Sequence, residues 1–161
     1  TAEPRGGRID YDIDGRLVGN WFLDETLDYR ASGPLEIPYY WYGHLSIVYD
    51  HFDPAQIRIS IGAETGIDET VCSVCAGTYG VRDNAPDPAA VGVDTGVVKY
   101  ELLGRLHFGD PRVMTINDER NVLGVFLVQM VDDQTIRVEV FPGRTAGQVE
   151  GFSDAASIYR R

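Results

Sequence analysis

The chain has 161 residues, 43% of them hydrophobic and 24% charged; this balance suits one folded domain with its own apolar core and excludes wholesale disorder. Its formal net charge is −11 and Lys99 is its single lysine, so no basic stripe exists to neutralise a phosphate backbone, and nucleic acid is not an expected partner. Anionic membrane surfaces are disfavoured by the same repulsion, whereas divalent cations are drawn to Asp-rich segments.

The first element predicted along the chain is a hairpin. Arg8 to Ile13 and Arg16 to Phe22 flank Asp14-Gly15, a pair that tolerates the positive φ of a tight turn. Thr26 to Pro38 follows as a long surface loop. Leu45, Ile47 and Tyr49, then Ile57, Ile59 and Ile61 with Arg58 and Ser60 between them, recur with a period of two as half-buried strands do. Further strands are expected at Thr70 to Cys75, Tyr79 to Arg82 and Val97 to Leu106, with Asn84 to Gly96 and its prolines as a second surface loop.

Val113 to Asn117 is the next expected strand. Val122 to Val131 is apolar on both faces, which suits a strand covered on each side or a barrel strand with a lined interior. Its Gly124 and Gln129, and its length, keep it short of the ~20 residues of a membrane helix. Asp132-Asp133 reads as the turn into Thr135 to Phe141, where Ile136, Val138 and Val140 alternate with Arg137, Glu139 and Phe141, and Ala156 to Arg160 closes the series. The expectation is one all-β domain over residues 1–161: an antiparallel barrel or a β-sandwich of about 8–10 strands.

Four groups of residues could carry chemistry. Asp10, Asp12 and Asp14, ahead of Gly15, match the opening of a calcium loop, in which alternate carboxylates converge on a hard cation. Trp21 stands where such a loop needs its bidentate glutamate, and the same carboxylates would line the solvent face of a plain hairpin. Tyr39, Tyr40, Trp41 and Tyr42 are consecutive aromatics, which cannot all face one core from an extended chain. Rings left outside could stack on sugars or anchor a protein partner; the alternative is that two enter the core and two cover a barrel end. Asp50-His51-Phe52-Asp53 places a histidine between carboxylates, an arrangement able to raise its pKa for acid-base work. Asp53-Pro54 also reads as a turn. Cys72 and Cys75 form a C-x-x-C, open to a small loop disulfide, to reduced thiols, or to a metal or redox site. Serine-hydrolase, zincin, P-loop and dinucleotide patterns do not occur.

Gly19-Asn20-Trp21 resembles the G-x-W of the lipocalins, within the calycin barrels. That resemblance implies an eight-stranded barrel closed at one end by Trp21 and holding a small apolar ligand. Tyr11-Asp12 followed by Gly15-Arg16-Leu17 resembles the YD repeat of bacterial secreted shell proteins, here in one copy. The runs Asp14 to Phe22, Ile57 to Gly62 and Val138 to Gly143 resemble uncharacterised bacterial extracytoplasmic β domains, to which no activity is attached.

Together these point to a non-catalytic extracytoplasmic module, periplasmic or secreted, that binds a small apolar molecule, a glycan or an envelope protein. The ligand residues would be Tyr39, Tyr40, Trp41, Tyr42 and Trp21. No organic cofactor is implied, and calcium is the one metal to consider. Its start at Thr1 rather than Met suits a processed protein or a fragment. The alternative is a small barrel enzyme using His51 with Asp50 or Asp53.

Overall fold

The computed structural model describes residues 12–24, 43–51, 53–62, 77–106 and 121–161, with 105 and 106 described by backbone alone. Eight antiparallel strands close into one barrel in simple sequence order. They are β1 (Gly19–Leu23), β2 (His44–Tyr49), β3 (Ile57–Ile61), β4 (Gly77–Val81), β5 (Val97–Leu106), β6 (Val122–Asp132), β7 (Thr135–Pro142) and β8 (Ser157–Arg160). Pairing of Phe22 with Arg160 and Leu23 with Tyr159 joins β8 to β1 and completes the ring. The barrel therefore holds and the sandwich does not, and closure removes the free edges an open sheet would expose. No helix among the described residues is long and apolar enough to cross a membrane.

Register explains the core. Leu45 pairs with Ile61, Ile47 with Ile59 and Tyr49 with Ile57, so the alternating apolar residues of β2 and β3 form one inward row. Tyr79 continues that row on β4 opposite Ile59. Tyr100, Phe126 and Val140 follow one another across β5, β6 and β7. On β3 and β4 the outward positions include Ser60 and Thr78, whose hydroxyls lie 2.7 Å apart.

β6 is apolar on both faces because both are covered. Phe126, Val128 and Met130 point into the barrel, while Val125 and Leu127 point out and pack under Val149, which is 3% exposed, with Phe141 and Phe152 beside them. Val149 belongs to the connection between β7 and β8, which folds back over the outer wall as a strap. Burying a valine this fully is worth ~1.5 kcal/mol or more, and polar ties add to it. Lys99 Nζ donates to the carbonyls of Ala146 (3.2 Å) and Val149 (2.5 Å). Glu101 accepts from the Ala146 N–H (2.9 Å), and Glu139 accepts from the Ser153 N–H (2.7 Å) and hydroxyl (2.5 Å).

Two expectations are corrected. Asp14-Gly15 does turn, with the Arg16 N–H on the Ile13 carbonyl and Gly15 at φ 69°, but residues 12–18 are not strand. Instead Leu17 and Val18 donate to the carbonyls of Val91 and Pro88 (3.0 and 3.2 Å). The segment Asn84 to Gly96 is likewise more than a surface loop: Pro88 and Gly92 are buried and Val91 is 2% exposed. These two segments close one end of the barrel together. The strands expected at Thr70 to Cys75 and Val113 to Asn117, and the loop Thr26 to Pro38, lie outside the described residues.

Candidate functional site

The two ends of the barrel are built differently. At the end where β1, β3, β5 and β7 begin, residues 12–18 and 83–96 form a plug. Trp21 is fully buried there, and its indole N–H donates to the Leu17 carbonyl at 2.9 Å. The Arg161 guanidinium covers the indole face, 4.2 Å from the ring centroid. It also donates to the carbonyls of Ile13 and Arg16 (2.7 Å each) and Val18 (3.1 Å). Burial of this cation lowers its pKa while Asp12, Asp14 and Asp133 oppose that shift.

Beneath the plug is a buried polar group. The Tyr49 hydroxyl donates to the Asp87 carboxylate, which also accepts the Ala89 N–H at 3.1 Å. The Tyr100 hydroxyl donates to the Pro86 carbonyl at 2.9 Å. Burial, reinforced by the negative charges of Asp87 and Tyr49, pushes the Tyr100 pKa up, so this phenol stays neutral and acts as a donor. These contacts fasten the plug to the barrel wall.

Inward positions change in size along the barrel. Toward the plug they are Trp21, Tyr79, Tyr100, Met130 and Ile136, all essentially without exposure, with the equally buried Phe126 about midway along β6. Toward the opposite rim, two residues beyond Tyr79, Phe126 and Tyr159 on their strands, the inward positions are Gly77, Gly124 and Ser157. Leu45, Ile61 and the half-buried Val140 line the same half. Most of the large side chains thus lie toward the plug, and small or aliphatic ones become more frequent toward the opposite rim.

The residues singled out from sequence are placed unequally. Trp21 lies at the closed end, where its ring is covered by Arg161. Asp12 accepts the Asn20 N–H at 2.7 Å and Asp14 is exposed in the turn, while Asp10 lies outside the described residues. Among the described residues no group of three or more His, Cys, Asp or Glu is arranged to hold a metal ion. His51 is exposed between β2 and β3. Asp50 pairs with Arg58 at 2.7 Å and accepts the Asp53 N–H at 2.9 Å, and Asp53 accepts the Ala55 N–H at 3.2 Å. Both carboxylates beside His51 therefore shape the turn. Tyr39, Tyr40, Trp41, Tyr42, Cys72 and Cys75 lie outside the described residues.

Arg161 and Asp87 are missing from the sequence reading. An arginine just after β8 and an aspartate between prolines carry no periodic signal, and their roles appear only when distant segments meet. The closed eight-stranded barrel with a tryptophan under its plug is compatible with a calycin-like fold. No family model matches the chain, nor does any curated protein or solved structure.

Proposed function

We propose that this protein is a non-catalytic, extracytoplasmic binding barrel that takes a small, largely apolar molecule into the half of its interior away from the plug. The observation that carries this reading is the gradient of inward side-chain size, from Trp21, Tyr100 and Met130 toward the closed end to Gly77, Gly124 and Ser157 near the other. Pockets for small ligands are concave, mostly apolar and rigidly framed. The aliphatic lining at Leu45, Ile61 and Val140 supplies the apolar surface, and the plug contacts supply the rigid base. The acidic surface, at net charge −11, keeps such a carrier soluble and apart from anionic surfaces.

Titration with the neutral apolar fluorophore Nile red tests the reading. The wild-type chain is expected to bind it saturably, with an emission blue shift. Ser157→Trp, which fills the small-residue half from a half-buried position, is expected to weaken binding by about tenfold while leaving the melting temperature near that of the wild type. Absence of saturable binding, or equal binding by wild type and the folded variant, would refute it.

A further inference from the structure

The geometry points to a second binding site, on the outer wall beside the plug, that takes a small oxyanion: a phosphate or a carboxylate group. A groove of about 190 Å³ is lined by Gln56, Arg58, Gly80, Arg82, Asn84 and Leu103, among others. It exists because of register. Arg58 on β3 pairs with Gly80 on β4, and Gly80 pairs with Leu103 on β5. Arg58, Gly80 and Leu103 are the outward members of their strands, so the glycine leaves a slot with a guanidinium on one side and an isobutyl group on the other. A shift in pairing at Leu102/Leu103, with Gly104 at φ 51°, re-aims this part of β5.

The groove has a surplus of donors. Arg58 uses only Nε, on Asp50, and its side chain is 11% exposed; Arg82 uses only Nη1, on Glu101 at 2.8 Å. Among the described residues nothing accepts from Arg58 Nη1 and Nη2, from Arg82 Nε and Nη2, or from the side-chain amides of Gln56 and Asn84. Asp83 is the one acidic residue on the lining. Two guanidiniums and two carboxamides around one slot form a donor-rich set that suits an acceptor-rich group. Charge-assisted pairs to a guanidinium are the strongest hydrogen bonds available to such a group. The volume lies below the roughly 300 Å³ at which pockets begin to enclose drug-sized molecules, so the ligand is small, with Leu103 left for a short apolar portion.

Asn84 supplies a clean handle. It sits at φ 66°, where glycine keeps the backbone and removes only the carboxamide. Amide and arginine Nε–H resonances would be followed while inorganic phosphate, and separately acetate, is added at ionic strength fixed with chloride. Saturable shifts confined to Gly80, Arg82, Asn84, Leu103 and the Arg58 Nε–H are expected. Arg82→Gln should raise the dissociation constant about tenfold or more, and Asn84→Gly a few-fold. Tighter binding of phosphate identifies a phosphoryl ligand, and tighter binding of acetate a carboxylate. Shifts that never saturate, that spread over all arginines, or that persist unchanged in folded Arg82→Gln overturn the proposal.

Discussion

Arg161 lies over Trp21, its Cζ 4.2 Å from the ring centroid, so the residue that follows β8 seals β1. The same guanidinium donates to the carbonyls of Ile13, Arg16 and Val18. It therefore fastens three separate points of the plug to the indole. Its planar fork is what allows stacking and several in-plane hydrogen bonds at once, which a lysine ammonium cannot reproduce.

Arg161→Lys is thus expected to destabilise the barrel despite keeping the charge. Loss of the stacked geometry and of two or more hydrogen bonds should cost ~2 kcal/mol. For a chain of this size that lowers the melting temperature by roughly 4–8 °C. Calorimetric melting checks this, with a red shift of Trp21 emission expected as water reaches the ring. An unchanged melting temperature would show that the plug holds without the guanidinium.

Gly19 is tied to the same end by space. It has φ +132°, and a Cβ there would lie 1.8 Å from the Asp12 carboxylate oxygen that accepts the Asn20 N–H. Gly19→Ala must therefore strain the backbone and displace Asp12 from its hydrogen bond, a combination expected to cost ~2–3 kcal/mol. Denaturant unfolding of the variant, alone and combined with Asp12→Ala, measures it. Relief of part of the loss in the double variant is expected, because the clash is with that side chain.

Alternation made the barrel legible, since each inward row needs a period of two: the strand read at Val97 to Leu106 coincides with β5. The double-faced apolarity of Val122 to Val131 was also legible, but its outer cover was not. Val149 stands among Gly147, Gln148 and Glu150, a local setting that gives no sign of burial. Asp14-Gly15 signals a turn but not its destination, because a turn residue fixes local φ and leaves the choice of partner to distant packing. Trp21 lies at the closed end, while its covering Arg161 lies far away in sequence. The groove at Arg58, Gly80 and Leu103 depends wholly on cross-strand register, which a single sequence does not display.

Acidification should loosen the strap before the barrel. The hydrogen bond from Ala146, aided by Arg82, holds the Glu101 pKa below its ordinary value of 4.5. A carboxylate depressed in the folded state contributes stability above its unfolded pKa, and that contribution fades as pH falls through the lower folded value. Hydrogen exchange at Ala146 and Val149 should therefore accelerate below about pH 4.5, relative to exchange in the barrel strands. Glu101→Gln should exchange faster at neutral pH and show less additional acceleration in acid. Equal protection of the wild-type strap at pH 3 and pH 7, after correction for intrinsic rates, would contradict this role of Glu101.

At the alkaline side the controlling group is Tyr100. Burial first, then the negative charges of Asp87 and Tyr49, raise its pKa above the ordinary 10.0, and its hydroxyl donates to Pro86 in the plug. A raised folded pKa contributes stability that is complete below the unfolded value and is lost as pH rises past it toward the folded one. The native chain should thus lose stability above about pH 10, with the Tyr100 phenol resisting ionisation until the barrel opens. Tyr100→Phe removes both the group and its donor. It should cost about 1 kcal/mol at neutral pH but flatten the alkaline decline, because the Tyr100 phenol is no longer there to ionise on unfolding. Phenolate absorbance followed against pH, alongside denaturant midpoints for both proteins, separates the two effects. An alkaline decline equally steep in both would assign it to another group.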